Sequence, residues 1–269
     1  MRHELKANDR VTLTIEAGGI ARLNLARPDK RNALDPAMID ALLDAGGVLS
    51  ALPGLRCVVL AGEGKGFCAG LDLASLTDGG FGELDLAARS HGNANRFQQI
   101  AVQWRKLPVP VIAAVHGVCL GGGLQIAGGA DIRIAAPDAR LCVMELKWGI
   151  VPDMGHYALW KGLIRDDVLR EMTYSHREFS GEEAAAMGFV TRTAADPLAE
   201  ALALARAIAG KNPQAIRAAK ALANRSLDAG TDEILLAESR EQQRLLGTRN
   251  QLEAVRSQME GRPGTFTDP

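Results

Sequence analysis

Two carboxylates, Glu145 and Asp153, sit in the mostly apolar segment Met144-Glu145-Leu146-Lys147-Trp148-Gly149-Ile150-Val151-Pro152-Asp153-Met154-Gly155. Desolvation in such a setting raises a carboxyl pKa and makes the group a usable proton carrier near neutral pH. Either residue would serve equally as a surface charge or a helix cap. Two glycine-rich segments add a second kind of chemistry. Gly62-Glu63-Gly64-Lys65-Gly66-Phe67-Cys68-Ala69-Gly70-Leu71-Asp72 follows a buried strand, and its glycines permit close backbone approach to a ligand or an ordinary flexible turn. In Val115-His116-Gly117-Val118-Cys119-Leu120-Gly121-Gly122-Gly123-Leu124-Gln125-Ile126-Ala127, a strand gives way to glycines and then to an apolar helical run. Such a junction exposes free backbone amides suited to a developing oxyanion, or simply lets the helix pack closely on the strands. His116 reads as a packed or capping residue.

Gly64, Gly66 and Ala69 satisfy a loose G-x-G-x-x-G/A pattern, so dinucleotide binding has to be weighed. A hairpin and a helix precede this strand, and any helix after the glycines soon meets Gly79-Gly80, whereas a dinucleotide fold wants a long helix there. A Walker loop is absent, because Gly66 follows Lys65.

The elements that must position these residues are legible in outline. Val11 to Glu16 and Ile20 to Leu25 alternate about Gly18-Gly19 as a hairpin. Asp35-Pro36 starts a helix running to about Leu52. Arg56 to Ala61, Val111 to Val115 and Ile132 to Ala135 are short buried strands, with a long helical stretch containing Asn95 to Lys106 and a helix after Gly123 between them. This alternation predicts an α/β fold of stacked β-α units. From Ser180-Gly181-Glu182-Glu183 onward the character is helical, with Pro197 to Ala209, Pro213 to Leu227 and Thr231 to Leu246 rich in Ala, Leu, Glu and Arg. From periodicity alone these helices read as ordinary solvated amphipathic packing, and use in oligomer contacts needs support from outside the pattern.

Composition narrows the function classes. The 269 residues are 47% hydrophobic and 23% charged with a formal net charge of −1. No sequence-wide excess of Lys and Arg exists to hold nucleic acid or an anionic membrane. The opening Met1-Arg2-His3-Glu4-Leu5-Lys6 lacks the apolar core of a signal peptide, and no apolar run of membrane-spanning length occurs, so a cytoplasmic location is expected. Cys57, Cys68, Cys119 and Cys142 form no CxxC pair and read as reduced packing thiols; the five scattered histidines suggest no metal site.

Taken together, the segments resemble the crotonase (enoyl-CoA hydratase/isomerase) family in order and spacing over nearly the whole chain. Ala21-Arg22-Leu23-Asn24-Leu25, Arg27-Pro28 and Lys30-Arg31-Asn32-Ala33-Leu34 resemble the family's opening signature. The resemblance implies that Lys30, Arg31, Ala33 and, further on, Ala69 lie along coenzyme A; without it, Lys30 and Arg31 are plain surface charges. It further implies that the Leu71 and Gly122 amides form an oxyanion hole, and that Glu145 is an acid–base residue. The fold implied is a crotonase-like arrangement of repeated ββα units, with residues 1–195 as the core and 196–269 as a helical region for oligomer contacts in a homotrimer or dimer of trimers. Glu253 to Pro269, with Phe266, is similar to the family's last helix and tail. No separate cofactor is implied, coenzyme A being part of the substrate.

One departure discriminates among reactions. Family hydratases place a second glutamate just after the glycines, where this chain has Gln125, whose amide cannot accept a proton at neutral pH. Asp153 resembles the acidic position that dienoyl-CoA isomerases add, although those enzymes also carry an acid where Gln125 stands. The implied activity is migration of a double bond in an enoyl- or dienoyl-CoA through an enolate. A hydratase with reduced acid–base machinery and a catalytically silent acyl-CoA binding protein are the alternatives.

Overall fold

The computed structural model describes residues 2–3, 8–79 and 85–269. Strands β1 (Arg2–His3), β2 (Val11–Glu16) and β3 (Ile20–Leu25) are antiparallel, and Gly18 and Gly19 at the β2–β3 turn have φ of 80° and 75°. These are left-handed values that glycine reaches without steric cost. β4 (Cys57–Gly62), β6 (Val111–Val115), β8 (Ile132–Ala135) and β11 (Arg192–Thr193) continue the sheet in parallel, giving the order β1-β2-β3-β4-β6-β8-β11. The pleat divides β4 between two cores: Val58 and Leu60 face one cluster, while Cys57, Val59 and Ala61 face the other. Burial on both faces explains its unbroken apolar run.

The first face is covered by α1 (Pro36–Ala51) and α3 (Arg96–Lys106). Asp35 caps α1 by accepting the Met38 amide at 2.7 Å, with Pro36 in the first turn. The expected long helical stretch before β6 is confined to α3, because Asn95 and Gln98 form a reciprocal capping box that fixes its start. The second face is covered by α8 (Pro197–Ala209), whose Ala201 and Ala205 are fully buried against it.

A second sheet, ordered β10-β9-β7-β5, was not legible in the sequence. It consists of β5 (Gly66–Cys68), β7 (Val118–Leu120), β9 (Arg140–Cys142) and β10 (Phe179–Ser180). Strands this short carry too few residues to display alternation. They nevertheless place the site, since β5 returns after β4, and β7 leads into α4 (Gly122–Gly128). Between β5 and α3 lies the short α2 (Leu73–Thr77). Gly66 thus opens a strand and no long helix follows, which removes the dinucleotide reading; Gly80 lies outside the described residues.

The remaining helices are α5 (His156–Trp160), α6 (Asp166–Ser175), α7 (Gly181–Met187), α9 (Pro213–Arg225), α10 (Thr231–Leu245) and α11 (Arg249–Met259). Buried Lys220 fastens α9 to the core, donating to the Trp104 and Val109 carbonyls and, at 2.8 Å, to Asp131. The tail after α11 returns to the sheet, where Arg56 pairs with Asp268 and donates to the Phe266 carbonyl.

Candidate active site

The backbone frame begins at the loop after β3. Fully buried Asn32 adopts φ of 59°, a left-handed conformation that Asn tolerates better than most residues. Its Nδ2 donates to the carbonyls of Glu63, Gly66 and Phe67, and its Oδ1 accepts the Arg27 amide at 2.8 Å. Arg27 in turn meets Asp72 at 2.6 Å and Asp35 at 3.5 Å. Burial opposes ionisation of Asp72, yet the Arg27 guanidinium holds its pKa below the usual carboxylate value. These contacts clamp the loop of residues 27–35 onto the segment that ends in Leu71.

Leu34 and Leu71 form a parallel bridge in which Leu34 N–H donates to Gly70 O at 2.8 Å and Asp72 N–H donates to Leu34 O at 3.0 Å. In that pattern the bonds come from the neighbours of Leu71, so its own amide faces away from Leu34. Facing the segment on that other side is the start of α4. Gly70, at φ of 85°, has room for no side chain there: a Cβ would crowd Leu120 O and lie 3.5 Å from the Gly122 nitrogen. Gly121 has φ of 49° and donates to Cys142 O at 2.9 Å, and a Cβ on it would lie 3.3 Å from Glu145 Oε1. The two glycine-rich segments therefore converge, with Glu145 close behind.

Glu145 begins a 3-10 turn, is 7% exposed, and accepts from Gln125 Nε2 at 2.5 Å through Oε1. Its Oε2 is buried and has no protein partner. Burial pushes the Glu145 pKa up, and the nearby Asp153 charge adds to this, against the lowering effect of the Gln125 bond. Asp153 is half-buried and likewise raised by desolvation. The surface-charge reading therefore fails for Glu145.

Two cavities meet at this point. One, of about 450 Å³, is lined by Leu71, Gly122, Gln125, Glu145 and Asp153, and otherwise by apolar side chains including Leu86, Phe97 and Met154. The other, of about 270 Å³, is lined by Ala69, Gly70, Leu120, Lys147 and Glu178 and shares Leu71, Gly122 and Glu145 with the first. A molecule threading both would pass the Leu71 and Gly122 backbone with the free Glu145 oxygen alongside.

Ala69, Leu71, Gly122, Gln125, Glu145 and Asp153 are thus brought together. Lys30 and Arg31 are exposed on the neighbouring loop and Ala33 is buried within it; these three line neither cavity, although Arg31 O accepts the Ala69 amide at 2.9 Å. The sequence reading missed Asn32 and Arg27 as organisers of the loop, for which the only signal was an Asn able to take positive φ. It also missed Leu86 and Phe97 as wall residues, since a distant apolar residue carries no such mark. His116 ties its loop to the Gly64 carbonyl at 3.0 Å, and all four cysteines are buried free thiols. Among the described residues no group of three or more His, Cys, Asp or Glu side chains could hold a metal ion, and no helix is long and apolar enough to cross a membrane.

Comparison with known proteins agrees with this architecture. The model for the family described as "Enoyl-CoA hydratase/isomerase" matches residues 15–269. The chain is 31% identical over 252 residues to the mitochondrial Delta(3,5)-Delta(2,4)-dienoyl-CoA isomerase of Mus musculus, covering 90% of this chain and 77% of that protein. It is 31% identical over 207 residues to the enoyl-CoA hydratase EchA19 of Mycobacterium tuberculosis, covering 73% of each. The crystal structure of an enoyl-CoA hydratase from Polaromonas sp. JS666 superposes with a TM-score of 0.86 at 27% identity, over 96% of this chain and 99% of that one. The chain belongs to the enoyl-CoA hydratase/isomerase family, the crotonase superfamily.

Proposed function

We propose that the protein is an enoyl-CoA isomerase that moves a double bond in an enoyl- or dienoyl-CoA. The observation that carries this reading is the pairing of one carboxylate, Glu145, with a neutral amide, Gln125, beside two converging backbone amides. The thioester oxygen is held by the Leu71 and Gly122 N–H groups, each worth about 3 kcal/mol to a developing enolate. Glu145 Oε2 removes a proton from the carbon at one end of the migrating unit, electron density moves onto the thioester oxygen, and a proton is returned at the other end. Glu145 performs this return, or Asp153 does so where the conjugated system extends further into the apolar cavity. No proton is gained or lost overall, so one base suffices, whereas water addition wants a second acid–base group. Coenzyme A enters as part of the substrate, its pantetheine in the smaller cavity beside Ala69 and its phosphates toward Lys30, Arg31 and Ala33.

The kinship with a dienoyl-CoA isomerase supports this choice, and kinship with hydratases keeps water addition as the competing outcome. We infer a cytoplasmic homotrimer or dimer of trimers, with residues 196–269 supplying subunit contacts; the exposed Leu235, Leu236 and Leu246 support this. The test is incubation with 2-enoyl-, 3-enoyl- and dienoyl-CoA thioesters followed by mass spectrometry and ultraviolet spectroscopy. Isomerisation at unchanged mass is expected, without the addition of a water. Hydration as the main reaction overturns the reading.

A further inference from the structure

We propose that Gln125 is a positioning residue that dictates which oxygen of Glu145 works and keeps a second ionisable group from sharing that carboxylate's proton at hydrogen-bond distance. The proposal rests on the reading of Glu145 as the base. It stands on two hydrogen bonds: Met154 N–H donates to Gln125 Oε1 at 2.7 Å, and Gln125 Nε2 donates to Glu145 Oε1 at 2.5 Å. A backbone N–H can only donate, so the first bond fixes the amide orientation and the second follows necessarily. Gln125 is 2% exposed and cannot turn to water instead. Glu145 Oε1 is consequently occupied, while Oε2 is buried without a protein partner. The same amide ties α4 to the turn that carries Asp153, immediately before Met154, and so fixes how far apart the two acids stand.

An amide performs both tasks without a mobile proton. A carboxylate in its place would accept the Met154 N–H equally well but could donate to Glu145 only while protonated. With both acids ionised, two carboxylates would be in contact at hydrogen-bond distance, so one proton would be shared over a broad pH range. The other groups facing Glu145 are the Asp153 carboxylate and the Cys142 thiol, with the Met144 and Glu145 backbone amides and Lys147 on its own turn, and Glu178 on the wall of the smaller cavity. None of these touches Oε1 in place of Gln125.

The experiment combines carboxyl titration by ¹³C NMR of glutamate-labelled protein, with Glu145→Gln providing the assignment, and the pH dependence of turnover. In the wild type, one step should dominate the Glu145 titration, with only a minor second inflection from the Asp153 charge, and kcat should rise with pH to a plateau. In Gln125→Glu, the Glu145 signal should report two coupled steps, and kcat should follow a bell that falls once the shared proton is lost. Gln125→Leu should raise the Glu145 pKa and lower kcat by roughly tenfold to a hundredfold, the usual effect of losing a bond to a charged group, with KM little changed. An unaltered Glu145 titration in both variants overturns the proposal, whatever the activity. If instead the titrations change as stated but Glu145→Gln retains turnover, the base assignment fails while the positioning role stands.

Discussion

Leu34 and Leu71 are joined by a parallel bridge that uses the carbonyl of Gly70 and the amide of Asp72, so two backbone bonds turn the Leu71 amide away from Leu34. The register of that bridge is maintained by Asn32, which binds three carbonyls of the facing segment. Asn32→Ala leaves those carbonyls buried and unpaired, which should cost about 2–3 kcal/mol and lower the Tm by about 5 °C. Acyl-CoA affinity should fall as well. Thermal unfolding and calorimetric titration check this, and an unchanged Tm would show that the loop is held by other contacts.

Glu145→Gln keeps the shape of the side chain and an oxygen for Gln125 to donate to, but removes the base. Turnover should fall by about 10²–10⁴-fold with thioester affinity largely preserved. Steady-state kinetics beside equilibrium binding separates the two quantities. Wild-type turnover in this variant would remove Glu145 from the mechanism.

The raised pKa of Glu145 ties activity and stability to pH with opposite signs. Burial lifts its folded-state pKa above the ordinary value of 4.5, so between those two values the folded protein binds more protons than the unfolded chain. Stability contributed by this group is full below about 4.5 and declines as pH rises through the folded-state pKa. Activity requires the ionised form and rises over the same interval. Glu145→Gln should therefore melt higher than wild type at pH 8, with the gap closing near pH 4. A gap independent of pH would mean that the carboxylate is not destabilised by burial.

If residues 196–269 supply subunit contacts, Leu235→Glu together with Leu236→Glu should convert the assembly to smaller species, because charge on an apolar contact is costly to bury. Light scattering after size exclusion gives the mass directly. A wild-type protein already monomeric at micromolar concentration refutes the assignment.

The hairpin, the α1 cap, the buried strands and most C-terminal helices were legible because each carries a local signature: alternation about Gly18-Gly19, Asp35-Pro36, or Ala-rich periodicity. The convergence of Leu71 and Gly122 came only from the family resemblance, since local pattern cannot show what depends on β5 and β7, strands of three residues each. Glu145 and Asp153 could be picked out by their apolar surroundings, yet the surface alternative could be dismissed only when Glu145 proved 7% exposed. The role of Gln125 was visible merely as a missing acid. That its amide joins Met154 to Glu145 is a tertiary relationship between α4 and two later turns.

Gln125→Glu also bears on the choice between isomerisation and hydration. Water addition needs a base for the incoming water and an acid for the α-carbon, and the wild-type site offers Glu145 beside an amide that can do neither. In the variant, while one proton is shared between positions 125 and 145, an ionised and a protonated carboxyl stand together at the start of α4. Hydration of a short 2-enoyl-CoA should then increase relative to double-bond migration. Mutual repulsion disturbs Glu145 as well, so the absolute rates of both reactions can drop and the ratio is the quantity to follow. It should move toward hydration most strongly at mildly acidic pH, where the shared proton is retained, and return toward the wild-type value as pH rises. Measurement of both products from one reaction mixture across pH gives that ratio. If the wild type already hydrates as efficiently as it isomerises, residue 125 does not set the reaction, and the hydratase assignment replaces the one proposed.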